Sequence, residues 1–343
     1  MIKVLIVDDS ATARHILREI LESDKRIEVV GLAADAYIAR DMIVALKPDV
    51  ICLDVEMPRM DGVTFLQKLM TYFPTPVVMV SSLTRKSAQV TLDALEAGAV
   101  DYVAKPHSNI YDGKEEIREE LIQKVIDASY ARVQKIIPGT KIIANRLSIA
   151  ETTNKVIAIG SSTGGTEALK VLLQGIPKNS PAIVIVQHMP DSFVGPFASR
   201  LNSLCEIDVK VASSGDFLAM GTAYIAKGGL HMVLRRSGAR YYIEIGEGRK
   251  VNGHCPSVDV LFNSVSKIAG ANALGVILTG MGNDGARGMY NMHQAGAKTI
   301  AQSEETCVVF GMPKEAIKLG GVDHIIPLPD IASTLLTCLN GQK

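Results

Sequence analysis

The sequence lacks the cysteine pairs that mark a disulfide framework or a structural zinc site. Its five cysteines stand far apart, at positions 52, 205, 255, 307 and 338, and none belongs to a C-x-x-C pair. Scattered cysteines in odd number argue against both kinds of site. We therefore expect a protein of a reducing compartment, the cytoplasm.

The chain also lacks an excess of either charge and any long apolar run. Lysine plus arginine and aspartate plus glutamate each number 36, so the formal net charge is zero. A neutral chain has no overall basic field for nucleic acid, and we expect the basic stretch RRSGAR at 235–240 to be a solvated turn. No apolar run reaches the length of about 18 residues typical of a transmembrane helix, and the N-terminal one is too short for a signal peptide. We expect neither a nucleic-acid partner nor a membrane-inserted segment.

What the chain does have is enough length and apolar content for two domains. It contains 343 residues, 47% of them hydrophobic, and one domain rarely reaches that length. We predict a first domain at 1–122, a helical extension and linker at 123–153, and a second domain at 154–343. Pro138 and Gly139 mark the linker.

Short apolar runs alternate with helical patterns over the first hundred residues. The strand-like runs are KVLIV (3–7), EVVGL (28–32), VICL (50–53), VVMV (77–80) and YVA (102–104). Helical patterns lie between them at 11–22, 36–46, 62–72 and 87–97. Alternation at this spacing predicts an α/β domain, a doubly wound five-stranded parallel sheet with strand order 2-1-3-4-5.

Acidic residues follow two of these strands at the edge where such folds carry their sites. Asp8 and Asp9 come after the first strand and Asp54 after the third. These strands are neighbours in the predicted order, so we expect the three carboxylates to converge. Their mutual repulsion requires a cation, and hard oxygen ligands favour Mg²⁺. Ser81 and Lys105 end the fourth and fifth strands. The alternative is that Asp8 and Asp9 only cap the following helix. It does not account for Asp54, Ser81 and Lys105 at the other strand ends.

The segments VLIVDDS, ICLDVEMPRMDG, VMVSS and YVAKP resemble the receiver domain of bacterial two-component response regulators. The resemblance implies that Asp54 takes a phosphoryl group from a sensor histidine kinase. It also implies that Asp8 and Asp9 hold Mg²⁺ together with Asp54. The residues implied to respond to phosphorylation are Ser81, which contacts the phosphoryl group, Lys105, which pairs with it, and Tyr102, the switching aromatic.

The second half begins with IAIGSSTGGTEALK, a strand that runs through a glycine-rich turn into a helix. A second strand, at 182–187, ends at His188, and a third, at 273–280, leads into a loop that contains Asp284. A mainly parallel sheet places Ser162, His188 and Asp284 just past strand ends. A serine nucleophile needs a base, and the base needs an orienting carboxylate, so this set fits nucleophilic catalysis.

Each of these residues has an alternative interpretation. Ser162 fits a phosphate-binding loop of a nucleotide-binding output domain, although neither GxxxxGK[ST] nor GxGxxG is present. His188 fits a core or helix-start histidine, and Asp284 fits the N-cap of the helix that follows it. His231 and His254 are rival bases. A DNA-binding output domain is a further alternative, but the sequence shows no basic helix-turn-helix pattern to support it.

The segments AIGSSTGGTEAL, VIVQHMP, PSVDVLF and VILTGMGNDGARG resemble the catalytic domain of the chemotaxis protein-glutamate methylesterase family. With the receiver-like half in front, the resemblance covers nearly the whole chain. It implies that Ser162 is the nucleophile, His188 the base and Asp284 the acid that orients it. It further implies that the Met281 amide helps to form an oxyanion hole and that Thr163 lies beside the nucleophile.

The resemblance implies a phosphorylation-regulated hydrolase that removes γ-methyl esters from glutamates of chemoreceptors and deamidates glutamines. Its implied partners are methyl-accepting chemoreceptors and the chemotaxis histidine kinase. Mg²⁺ serves the receiver, and the esterase chemistry needs no cofactor. The unphosphorylated receiver is expected to cover the catalytic face. Cys255 stands directly before PSVDVLF, where the resemblance leads us to expect a basic residue.

Overall fold

The computed structural model describes residues 1–81, 85–105, 114–133 and 155–340. Contacts divide the chain into an N-terminal unit, Met1–Thr140, and a C-terminal unit, Lys141–Lys343. Most of the linker predicted at 123–153 lies outside the described residues, and the domain boundaries stay a prediction.

The N-terminal unit is a five-stranded sheet with helices between successive strands. Its strands are β1 (Ile2–Val7), β2 (Ile27–Ala33), β3 (Val50–Asp54), β4 (Val77–Ser81) and β5 (Asp101–Ala104). Its helices are α1 (Ala11–Glu22), α2 (Ala36–Leu46), α3 (Gly62–Tyr72), α4 (Arg85–Glu96) and α5 (Lys114–Ser129). All strand pairs are parallel in the order β2-β1-β3-β4-β5, which confirms the predicted fold class and strand order.

Local sequence signals account for these elements. The β3 and β4 strands are buried along their whole length, as strands covered on both faces are expected to be. Asp35 precedes helix α2, and its carboxylate accepts from Tyr37 N at 2.8 Å. Asp61 precedes helix α3 in the same way and accepts from Thr64 N at 2.8 Å. Both are standard N-caps.

The C-terminal unit contains a second α/β layer structure and a hairpin. Its strands are β6 (Val156–Ser161), β7 (Ala182–Gln187), β8 (Asp208–Val211), β9 (Thr222–Ile225), β10 (His231–Ser237), β11 (Arg240–Gly246), β12 (Ala273–Ile277), β13 (Lys298–Gln302) and β14 (His324–Ile326). Its helices are α6 (Gly165–Gln174), α7 (Asp191–Leu204), α8 (Val258–Ile268), α9 (Ala286–Gln294), α10 (Met312–Lys318) and α11 (Leu328–Leu339).

The main sheet of this unit has seven parallel strands within the described residues, in the order β14-β13-β12-β6-β7-β9-β8. The predicted mainly parallel sheet is therefore confirmed. Strands β10 and β11 pair antiparallel and separately. Their turn lies within the basic stretch 235–240, where Arg235 Nε lies 2.7 Å from Glu244 Oε2, so this stretch is an exposed hairpin end as predicted.

Helix α8 packs directly against the middle of the main sheet. Its side chains Val258, Leu261 and Phe262 are fully buried. A Cβ atom added at Gly160 in β6 would lie 2.2 Å from Val258 Cγ1. The helix therefore sits on the backbone of β6 at a distance that only glycine permits.

In the part of the chain that the structure describes, no helix has the length and apolar composition to cross a bilayer.

This contact predicts that Gly160→Ala destabilises the C-terminal unit by about 1–3 kcal/mol, because the added methyl overpacks the core. The free energy of unfolding is measured by hydrogen exchange of β6 and α8 peptides in a urea series. The double variant Gly160→Ala/Val258→Ala should show a smaller loss than the two single losses added together, because it makes room for the methyl.

Gly246→Ala serves as the matched control, since its Cβ meets nothing within 4 Å. It should leave the free energy of unfolding within about 0.5 kcal/mol of the parent. A Gly160→Ala protein as stable as this control would contradict the close packing.

Candidate functional site

Ser162 lies in a tight turn between β6 and α6. Its amide donates to Thr279 O at 3.0 Å, and its carbonyl accepts from Gly165 N at 2.7 Å and Gln187 Nε2 at 2.9 Å. Gly164 has a φ of 74°, which glycine adopts without strain. A Cβ at Gly165 would lie 2.2 Å from Gln187 Oε1. The two glycines and the glutamine thus fix the backbone that presents the serine.

His188 follows β7, the strand next to β6, and its amide donates to Ser161 O at 3.1 Å. Its side chain is buried, and Nε2 lies 2.9 Å from Asp284 Oδ2. Nδ1 is buried and has no hydrogen-bond partner among the described residues. With Asp284 accepting the Nε2 proton, the neutral ring carries its lone pair on Nδ1. Nδ1 is therefore the atom of this ring that can act as a base.

Asp284 is a buried carboxylate held by the N-terminus of α8 and its surroundings. Its remaining donors are Asn252 Nδ2 at 2.9 Å, Ser257 Oγ at 2.7 Å, Val258 N at 2.7 Å and Asp259 N at 3.2 Å. Burial alone would raise the pKa of Asp284, but the hydrogen bonds from His188, Asn252 and Ser257 outweigh it and hold the pKa well below its usual range. The alternative role as N-cap of α9 is wrong, since Gly285 occupies that position without a side-chain cap.

The loop after β12 passes close to the serine. A Cβ at Gly280 would lie 2.7 Å from Ser162 Cβ, so the backbone at Gly280, the residue before Met281, runs beside Ser162. The Met281 amide takes no part in the backbone hydrogen bonds of the described residues. Thr163 is buried, and its carbonyl accepts from Thr279 Oγ1 at 3.0 Å. The predicted role of the Met281 amide in an oxyanion hole stays a prediction.

A second cluster of polar residues lies at the strand ends of the N-terminal unit. Ligand atoms of Asp8, Asp9 and Asp54 lie within 4.8 Å of one another and form a set that could hold a metal ion. Lys105 Nζ bridges two of them, 2.7 Å from Asp8 Oδ2 and 2.8 Å from Asp54 Oδ2. The N-cap of α1 is Ser10, which accepts from Ala13 N, so the capping alternative for the two aspartates is wrong.

The electrostatics of this cluster depend on its burial. Burial raises the pKa of Asp54 to about 6, Lys105 offsets part of that rise, and the nearby Asp8 carboxylate adds to it. Burial would lower the pKa of Lys105, but its bonds to Asp54 and Asp8 raise it overall. A Cβ at Gly62 would lie 2.0 Å from Asp54 O, so α3 begins hard against this strand end.

The other two residues of the predicted receiver site lie on β4 and β5. Ser81 is buried at the end of β4, and its carbonyl accepts from Lys105 N at 2.6 Å. Tyr102 is buried one residue into β5, with Lys124 Nζ 4.7 Å from its ring centroid. The structure thus brings Ser81 to the carboxylate edge, whereas Tyr102 lies further back along the sheet under α5.

Several residues of the candidate active site have no counterpart in the sequence prediction. They are Gln187, Asn252, Ser257 and Asp259. Ser257 directly before an apolar run is an N-cap signal, and Asn252-Gly253 is a turn signal, but neither signal points to Asp284. The rival base His231 is occupied, with Nε2 2.9 Å from Arg249 O and Nδ1 3.2 Å from Ser257 N, so that alternative is wrong.

Comparisons with known proteins support the family resemblance of each half of the chain. The family model for the CheB methylesterase matches residues 157–335, and that for the response regulator receiver domain matches residues 4–117. The chain is 57% identical over 350 residues to a protein-glutamate methylesterase/protein-glutamine glutaminase of Sulfurimonas denitrificans, covering 100% of this chain and 99% of that protein. A Salmonella typhimurium protein of the same name is 54% identical, covering 100% of this chain and 98% of that protein.

Among solved structures, the Thermotoga maritima CheB methylesterase catalytic domain resembles the C-terminal unit. It is 39% identical, with a TM-score of 0.53, and the match covers 54% of this chain and 98% of that domain. The likeness therefore extends to the fold as well as to the sequence.

The low pKa of Asp284 predicts how stability depends on pH. A carboxyl with a folded pKa below its ordinary value of 3.8 contributes stability that is present above that value and is lost as pH falls below it. Asp284→Asn should therefore lower the free energy of unfolding of the C-terminal unit at pH 7 by about 3 kcal/mol, and by less at pH 3. Hydrogen exchange of α8 peptides in a urea series measures both values.

Asp208→Asn provides the control, because that carboxylate is exposed on β8. Its effect should be small at both pH values. A loss for Asp284→Asn that does not shrink at pH 3 would contradict the low pKa.

Proposed function

This chain belongs to the CheB methylesterase family and carries a response regulator receiver domain in front, and from that premise we propose how its two sites work. The reaction of the C-terminal unit is hydrolysis of γ-methyl esters of glutamate side chains in chemoreceptors, with deamidation of glutamine as a second activity. The receiver domain makes that activity dependent on phosphorylation. Ser162, His188 and Asp284 carry out the ester chemistry.

The observation that carries this assignment is the buried hydrogen bond of 2.9 Å between His188 Nε2 and Asp284 Oδ2, at the strand end next to Ser162. The nucleotide-loop alternative is weakened by the backbone of the same turn. Amides of a phosphate-binding loop must point at the ligand, whereas Ser162 N and Gly165 N donate to protein carbonyls.

In the first step Ser162 Oγ attacks the ester carbonyl carbon while its proton passes to His188 Nδ1. The carbonyl oxygen becomes an oxyanion that accepts from the Met281 amide, a donor of the kind worth about a hundred- to a thousandfold in rate. When the carbonyl re-forms, the bond to the methoxy oxygen breaks, and that oxygen takes the proton from His188 and leaves as methanol.

A water molecule then repeats the sequence on the acyl-enzyme. It gives a proton to His188 Nδ1, its oxygen bonds to the carbonyl carbon, and Ser162 Oγ leaves with the proton. The glutamate carboxylate is released. With glutamine the leaving group is ammonia, so the same residues serve both substrates.

Asp284 acts through His188. Its carboxylate keeps the Nε2 proton in place, so that Nδ1 faces the reaction with its lone pair, and it stabilises the imidazolium that forms. The four other donors to this carboxylate keep it ionised although it is buried.

In the receiver, the Asp54 carboxylate attacks the phosphorus of the phosphodonor, the chemotaxis histidine kinase, and the donor's own bond to phosphorus breaks. Lys105 already pairs with Asp54 and neutralises charge on the transferred group. The carboxylates of Asp8, Asp9 and Asp54 provide the hard oxygen ligands that suit Mg²⁺. An ion held by these three residues would neutralise charge on the phosphoryl oxygens. Ser81 contacts the phosphoryl group, and Tyr102 is assigned the switching role.

The partners follow from this reaction. The substrate is a methyl-accepting chemoreceptor, and the regulator is a kinase that carries a labile phosphoryl group. The five cysteines are free, which suits the reducing conditions of the cytoplasm, where both partners are accessible.

Ser162→Ala should lower methanol release from methylated receptor membranes by at least about a thousandfold, because it removes the hydroxyl on which the proposed acyl-enzyme forms. Glutamine deamidation should fall equally. Ser203→Ala, at an exposed position of α7, should retain parent rates. Near-parent release by Ser162→Ala would overturn the assignment of the nucleophile.

Methanol release by the full chain should rise when a small phosphodonor and Mg²⁺ are added, and Asp54→Asn should remove this response while leaving the basal rate. A fragment of residues 154–343 should release methanol faster than the unphosphorylated full chain. Parent and Asp54→Asn chains that respond alike to the donor would show that Asp54 is not the acceptor.

A further inference from the structure

A tight turn at residues 251–254, called here the NG turn, lies between β11 and α8. Val251 and His254 exchange both backbone hydrogen bonds, each at 3.0 Å. Asn252 and Gly253 have φ values of 52° and 84°, as the two central residues of a type I′ turn require, and Asn-Gly is the pair that favours this turn. The Asn-Gly pair therefore accounts for this turn from local sequence alone.

The first central residue of the NG turn contacts two buried carboxylates. Asn252 Nδ2 donates to Asp284 Oδ1 at 2.9 Å and to Asp259 Oδ2 at 2.7 Å. An amide NH₂ has two protons, and both are used here. Asp259 also accepts from Gly288 N at 2.6 Å. The amide thus joins the orienting carboxylate to the start of α8 and, through Asp259, to α9.

The last residue of the NG turn covers the face of the base. The rings of His254 and His188 are stacked, with centroids 3.7 Å apart and planes 7° from parallel. Among the described residues the His188 ring has a single hydrogen bond, to Asp284. This bond fixes the position of Nε2 but leaves the plane of the His188 ring free to turn. The stacked His254 ring restricts that turning.

We propose that the NG turn is a positioning element for the His188–Asp284 pair: Asn252 fixes the carboxylate and His254 fixes the plane of the imidazole, so that Nδ1 keeps one orientation. This inference rests on the proposed function of the C-terminal unit. It assigns His254 a role other than that of a rival base, because a stacked ring acts through its face and needs no ionisation.

The test compares variants that keep or remove each contact, with kcat and KM for methyl ester hydrolysis measured in the full-length chain with phosphodonor and Mg²⁺. His254→Ala removes the stacked ring and should lower kcat by about two- to tenfold, the size of a stacked aromatic pair, with KM unchanged. His254→Phe keeps a flat ring without any titratable nitrogen and should restore kcat to within about twofold of the parent.

Asn252→Gly keeps the left-handed backbone of the turn, since glycine adopts it freely, and removes the amide alone. It should lower kcat by about tenfold or more, because a hydrogen bond to a buried charge is lost. Urea unfolding of each variant confirms that the compared proteins are folded.

The imidazole of His188 provides a readout that does not depend on turnover. In ¹⁵N-histidine spectra of the full chain, His254→Ala should change the His188 ring signals, and His254→Phe should keep them close to those of the parent once the ring-current difference is subtracted. A parent-like kcat for His254→Ala would overturn the proposal. A His254→Phe variant as inactive as Ser162→Ala would also overturn it, because His254 would then be the base.

The proposed function fails on a different result. If Ser162→Ala retains methanol release, the assignment of the nucleophile is wrong, whatever the histidine variants show. The ¹⁵N signals of His188 still report whether the NG turn holds the ring in that case.

Discussion

The buried carboxylate of Asp284 is the constraint on which the C-terminal unit depends. Burying an anion is costly unless its oxygens are fully hydrogen-bonded, and here five donors satisfy them. The donors come from the end of β7, from the NG turn and from the first turn of α8. The segments that stabilise the buried charge of Asp284 are therefore the same segments that form the candidate active site.

Close approach of backbone segments gives both candidate sites their rigidity. Next to Asp54, the first turn of α3 is so near that Gly62 has no room for a side chain, and beside Ser162 the same holds for Gly165 and Gly280. Such close contacts restrict the movement of the backbone that carries the site residues. Since both sites lie at the carboxyl ends of parallel strands, where loops converge, the two units use the same architecture for different chemistry.

Two aspartates in this chain show how surroundings set the behaviour of one residue type. Burial near another carboxylate raises the pKa of Asp54, with Lys105 only partly compensating. Asp284 is also buried, yet its donors lower its pKa. The surroundings of Asp54 fit its proposed role as acceptor of a cation and a phosphoryl group, and those of Asp284 fit its proposed role as a fixed charge that orients a neighbouring base.

The strands and helices of the N-terminal unit could be predicted from its sequence, as could the order of its sheet and the candidate site residues at strand ends. Those features follow from local periodicity and from the rules of parallel sheets, which act over a few tens of residues. The family of the chain was also readable from its motifs. The tertiary structure was needed to find which nitrogen of the His188 ring bonds to Asp284, and that Asn252 and His254 contact the His188–Asp284 pair. These contacts join segments far apart in the chain: α8 packs on β6 and its first turn donates to Asp284, an arrangement that no local pattern encodes.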